Sequence, residues 1–146
     1  MTFGLLALIA AALFTGAAFY VSVVEQPARL SLDDRALLTE WKPSYRRGAA
    51  MQAPLALVGF LLAVIAWWQT SEAGFLVGGV AIVAAWPWTL IAIKPTNDAL
   101  LATEPDRAGP QVRALVVKWG ALHAVRTALG ALATGAFLWA CLSRQA

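Results

Sequence analysis

The chain has 146 residues, of which 60% are hydrophobic and only 13% charged, a balance that excludes an ordinary water-soluble domain and, at this length, points to one domain spanning 1–146. A net charge of +3 does not make it a nucleic-acid binder, because its basic residues flank apolar runs instead of forming an aromatic-interleaved patch. The single cysteine, Cys141, allows no intrachain disulfide and no cysteine-rich metal site, and reads as a small packing residue.

A bilayer core about 30 Å thick needs ~20 apolar residues in a helix. Four runs qualify: 3–24, 48–68, 74–93 and 119–141. The first could instead be a secretory signal, but it lacks a basic start and its apolar stretch is long for one. The expected fold is therefore all-α: an integral membrane four-helix bundle, antiparallel, in contact with membrane lipid.

The connection after the first run carries Arg29, Arg35, Lys42, Arg46 and Arg47. Ser31 and Asp34 form an S-x-x-D start signal, Leu37, Leu38 and Trp41 share a face, and Pro43 should stop the run, so a short interfacial helix is expected here. The connection at Gln69–Ala73 is short enough to make the second and third runs a tight hairpin. In the third run, Pro87 lies between Trp86 and Trp88 and should kink the helix, while Trp67 and Trp68 sit where an aromatic belt is expected.

The third connection, "KPTNDALLATEPDRAGPQVR", offers Thr96 or Asn97 as cap of a short helix through Leu101, ahead of Pro105 and Pro110. It carries Lys94, Arg107, Arg113 and Lys118, whereas the tail carries only Arg144. Nine basic residues against one place the first and third connections in the cytoplasm and both termini outside, with a bacterial inner membrane as the expected location. The spacings Ala12/Gly16, Gly74/Gly78 and Ala131/Gly135 suit close helix crossings.

The fourth run contains the chain's only histidine, His123, and an arginine, Arg126, about 12 Å in from Lys118 at 1.5 Å per residue. An arginine at a span centre costs about 2.5 to 3.5 kcal/mol on insertion scales, so Arg126 either snorkels to the headgroups or faces protein. Trp119, His123, Arg126 and Gly130 share one helical stripe, with Thr127 one turn below His123. The nearest carboxylate is Glu25 at the end of the first run, either an interfacial anion or the acceptor for this pair. Antiparallel topology brings Glu25, Tyr45, Asn97, Trp119 and His123 to the same end of the bundle, where a small-molecule pocket between helices is expected.

The stretches "TGAAFYVSVVEQPARL", "KPTNDAL" and "WGALHAVRTALG", in this order relative to four spans, resemble the anthrone oxygenase-like family of small four-helix membrane proteins. The resemblance covers nearly the whole chain. It implies a four-helix membrane bundle and, from the fungal polyketide members, oxidation of an anthrone to an anthraquinone by dioxygen with no metal or flavin cofactor. The partner implied is a lipophilic small molecule, anthrone- or quinone-like.

That chemistry asks only for a base and an oxyanion partner, because the anthrone CH2 is acidified by delocalisation into a phenolate. His123 has the ordinary titration range of a general base, and Arg126 would stabilise the enolate or peroxide. Glu25 would orient His123 or act as base. Asn97 and Tyr45 are candidate donors to a carbonyl, Asn97 serving equally well as a helix cap, and Trp119 either stacks on the substrate or anchors the helix. A non-catalytic reading stands beside this one, in which Glu25, His123 and Arg126 form a polar cluster that locks the helices. One histidine rules out bis-histidine haem ligation, the Glu-x-x-His pattern of di-iron bundles is missing, and no inverted repeat speaks for a transporter.

Overall fold

The computed structural model describes residues 2–143. It contains four helices long and apolar enough to cross a membrane: α1 (Thr2–Leu30), α2 (Asp34–Thr70), α3 (Ala73–Ala102) and α4 (Pro110–Ser143). Each is longer than the apolar run that predicts it, and the additions lie mostly at the end bearing the first and third connections. They pack as an up-down-up-down square in which α1 touches α2 and α4, and α3 touches the same two neighbours. Arg144 lies outside the described residues.

Three expectations about the connections are corrected. No separate interfacial helix exists, since residues 34–70 form one helix that passes through both Pro43 and Pro54. A proline inside a helix costs about 3 kcal/mol. Here the face it was expected to end, Leu37, Leu38 and Trp41, is fully buried against Ile93, Leu100, Val112 and Val116, which holds the helix together across the proline. The start signal also moves: Asp33 is the cap, its Oδ1 accepting from Ala36 N at 2.9 Å, while Asp34 accepts from Arg113 Nε at 2.6 Å. Likewise, Asn97 caps nothing, because residues 94–102 continue α3 and Asn97 lies inside the helix.

Odd-numbered helices approach the charged end in the same way. In α1, residues 21–25 widen to a π-type turn with Pro27 two positions later; in α3, residues 89–93 do so with Pro95 two positions later. A proline ring collides with the carbonyl four residues back, and widening the turn relieves that collision. Two residues beyond each proline stands a buried polar side chain, Arg29 in α1 and Asn97 in α3. Near Pro87 the helix is interrupted at Ala84, between helical segments 73–83 and 85–88, while Ala84 N still donates to Val80 O and Trp88 N to Ala84 O.

The two halves of the bundle pack differently. Away from the charged end, the core is alanine and phenylalanine, with Ala7, Ala11, Ala63, Ala133, Phe14 and Phe137 fully buried. Of the three small-residue pairs, only Gly74/Gly78 lies in a crossing: a Cβ on Gly74 would sit 3.0 Å from Ala136 O, and one on Gly78 3.0 Å from Ala133 O. Gly16 and Gly135 face open space. The charged end is layered with larger side chains, and between the two layers lies a band of polar groups.

Candidate functional site

The polar band is assembled by all four helices. His123 and Arg126 come from α4, one turn apart and both buried. The wide turn of α1 brings Ser22 opposite, its Oγ 3.4 Å from His123 Nδ1 and 3.1 Å from Thr127 Oγ1, while donating to Ala18 O at 3.1 Å. From α2, Gln52 Oε1 accepts from Arg126 Nη2 at 3.1 Å, and Tyr45 Oη accepts from Asn97 Nδ2 of α3 at 3.1 Å.

An aromatic frame holds these groups. Tyr45 stacks on Trp41 with ring centroids 4.9 Å apart, Trp41 meets Trp119 edge-on at 5.7 Å, and Trp119 stacks on His123 at 4.9 Å. The Arg29 guanidinium lies 5.5 Å from the Trp119 ring. With Arg29 and His123 both against it, Trp119 acts as a wall whose ring is already engaged.

His123, Arg126, Tyr45, Asn97 and Trp119 line one cavity of about 20 Å³, closed further by Gln52 and Gly48. That is room for a water or a diatomic gas. Three of its lining residues hold buried polar atoms without a partner: Arg126 Nε and Trp119 Nε1, both donors, and Asn97 Oδ1, an acceptor. Among the described residues no carboxylate pairs with Arg126, and its guanidinium lies 5.5 Å from the Phe14 ring. Arg126 thus lines the cavity with one side-chain hydrogen bond made and its Nε without an acceptor.

Glu25 is not part of this cavity. Its carboxylate binds the Arg29 guanidinium and the Ser44 hydroxyl. The expected acceptor for Arg126 is thus replaced by a neutral amide, Gln52, and the expected partner of His123 by a hydroxyl, Ser22. Position explains the difference: Glu25 is four residues before Arg29 on the same helix, where an acid and a base meet directly.

A model of the anthrone oxygenase family matches residues 41–136, about two thirds of the chain, including Tyr45, Gln52, Asn97, Trp119, His123 and Arg126. The chain belongs to the anthrone oxygenase family. Two curated fungal relatives extend the match beyond the family model. An anthrone oxygenase from Claviceps purpurea is 32% identical over 139 residues, covering 84% of this chain and 79% of the relative. The anthrone oxygenase tpcL of Aspergillus fumigatus is 30% identical over 131 residues, covering 83% and 81%. No solved structure matches.

Four polar residues of this family member's interior have no site role in the sequence reading: Arg29, Gln52, Ser22 and Gln26. Arg29 was counted only as a connection charge, yet it is 2% exposed and binds Glu25, Gln26, Glu40 and Ser44. The i,i+4 pair within "EQPAR" was the available signal. Gln52 and Ser22 carried none, because an amide or hydroxyl in an apolar run gives no sign of which neighbour it will face. Gln26 similarly crosses to α4, its Nε2 donating to Val116 O at 2.8 Å.

Proposed function

We propose that this protein is a membrane-embedded, cofactor-independent oxygenase that oxidises a lipophilic anthrone- or quinone-like aromatic, with His123 as base and Arg126 as oxyanion partner. The observation that carries the reading is the buried guanidinium of Arg126, free of any carboxylate among the described residues, beside an imidazole on the wall of one cavity. Membership of the anthrone oxygenase family supplies the reaction class. The cluster of nine basic residues around the two polar connections supports a cytoplasmic position for this end.

The chemistry balances without a further reactant. His123 takes a proton from the substrate CH2, leaving an electron-rich enolate whose oxygen is held by Arg126 Nε. The carbanion reduces dioxygen, forming a C–O bond, and the resulting peroxide takes a proton. Loss of the second C–H proton with cleavage of the O–O bond then gives the ketone and one water, so that one anthrone and one dioxygen yield one quinone and one water. The hydrogen bonding of Ser22 favours the required tautomer. Because Ser22 Oγ donates to Ala18 O, it can accept from Nδ1–H of His123, which leaves the Nε2 lone pair free. Tyr45 and Asn97 position the oxygen-bearing edge, and Glu25 acts at a distance by holding Arg29 against Trp119.

The non-catalytic reading is favoured for one cluster alone, the Glu25–Arg29–Glu40–Ser44 group, whose charges are paired. The deciding experiment is dioxygen uptake by detergent-purified protein supplied with 1,8-dihydroxyanthrone. Uptake matched one-to-one by quinone formation, well above the buffer rate, is expected. A folded protein that leaves the buffer rate unchanged across anthrones and hydroquinones would sink the oxygenase reading.

A further inference from the structure

A cavity of about 20 Å³ cannot hold a fused-ring molecule, so the body of any aromatic ligand must lie elsewhere. Beside it is a second cavity of about 110 Å³ between α2 and α3. The two share Tyr45, Ala49 and Arg126, so one arginine lines both. Apart from Tyr45, Thr89 and Arg126, the second cavity is lined by Ala49, Ala53, Ala56, Ala85, Trp86 and Leu90. Thr89 presents little polarity because its hydroxyl donates to Ala85 O at 2.7 Å.

The sequence explains why the space exists. Alanines stand on both helices where larger residues would fill the gap, and the break at Ala84 together with the wide turn at 89–93 disturbs the α3 path. The Trp86 indole crosses the gap, its Nε1 donating to Ala53 O at 3.2 Å. Trp86 and Leu90 are 40% and 56% exposed on the outer, apolar surface of the helix pair, where the adjoining Ile91 is 77% exposed. From the charged end, by contrast, the bundle is closed by the fully buried Leu37, Leu38 and Trp41.

We propose that the α2–α3 cavity is the binding site for the hydrocarbon body of a flat aromatic ketone or phenol, which arrives sideways past Trp86 from the surrounding lipid. Arg126 Nε, buried and without an acceptor, takes the ligand's edge oxygen, and the alanine walls take its ring. The ligand's reacting edge is directed past Tyr45 and Arg126 toward the small cavity, whose wall carries His123 and Asn97. This deepens the oxygenase reading and rests on it for the class of ligand; the site itself is tested by binding, without turnover.

Benzophenone, an apolar aromatic ketone that inserts into C–H bonds on irradiation, is a direct probe. Photolabelling in detergent followed by peptide mapping is expected to concentrate on residues 49–56 and 85–90. Labelling there should fall about tenfold in Ala53→Leu, which fills the cavity, and equally in the unmodified protein with excess 9,10-anthraquinone, while labelling at exposed Leu138 and Trp139 stays unchanged. The competition arm needs no substitution, so it decides the matter even where the variant fails to fold. Label spread over the apolar surface and indifferent to anthraquinone would overturn the site. Localised, competed labelling without dioxygen uptake keeps the site and removes the oxygenase reading; uptake that persists in folded Ala53→Leu, with label unlocalised, keeps that reading and removes the site.

Discussion

Arg29 and Arg126 are both buried cations in the same bundle, yet their surroundings differ. Arg29 is bound by two carboxylates, an amide and a hydroxyl drawn from α1 and α2, and lies against Trp119 of α4. Arg126 receives one amide oxygen and has a donor left over beside a cavity. A buried charge whose bonds are all made suits the role of holding helices together, and one whose bonds are incomplete is what the proposed oxyanion role requires. The proposed oxygenase therefore assigns the two arginines different roles, a structural one for Arg29 and a catalytic one for Arg126.

Substitution can break that comparison, and the largest effect expected is on turnover. His123→Ala should lower anthrone-dependent dioxygen uptake about a thousandfold, in the middle of the range for a lost general base, with thermal unfolding in detergent little changed. An equal loss of folding and activity would return His123 to the structural class. Arg29→Ala should destabilise by about 3 kcal/mol in denaturant titration, the low end for breaking a buried pair, because Glu40 keeps a side-chain exposure of 36%.

Arg126→Met sharpens the contrast. It should leave stability within about 1 kcal/mol, or improve it, since an isosteric apolar side chain relieves a desolvated charge. Uptake, however, should fall by about a hundredfold, the loss typical of one oxyanion donor. An Arg126 variant as unstable as Arg29→Ala would erase the distinction. The smallest effect belongs to the other half of the bundle, where Thr15 and Thr134 hydroxyls meet at 3.0 Å across α1 and α4. Thr15→Val should cost about 0.6 kcal/mol in unfolding and nothing in uptake.

Much of the cavity lining is legible in the sequence. His123, Arg126, Tyr45, Asn97 and Trp119 were placed together by periodicity and antiparallel topology, and they line one cavity. What failed was pairing. Glu25, the carboxylate nearest the apolar runs, reads either as an interfacial anion or as the acceptor for His123 and Arg126, but its own helix supplies Arg29 first. The boundaries failed for a related reason: Pro43 reads as a stop only until the burial of Leu37, Leu38 and Trp41 is known.

By itself the sequence determined four long apolar helices, their alternation, the charged end, and the stripe that sets His123 above Arg126, because hydropathy and helical period are properties of one segment at a time. Only the tertiary structure decided which arginine is neutralised and which is left open, where the helices widen ahead of Pro27 and Pro95, and that an alanine-walled space lies behind Arg126. Those outcomes depend on which groups from different helices come within bonding distance, and the order of residues along one helix does not specify its neighbours' geometry.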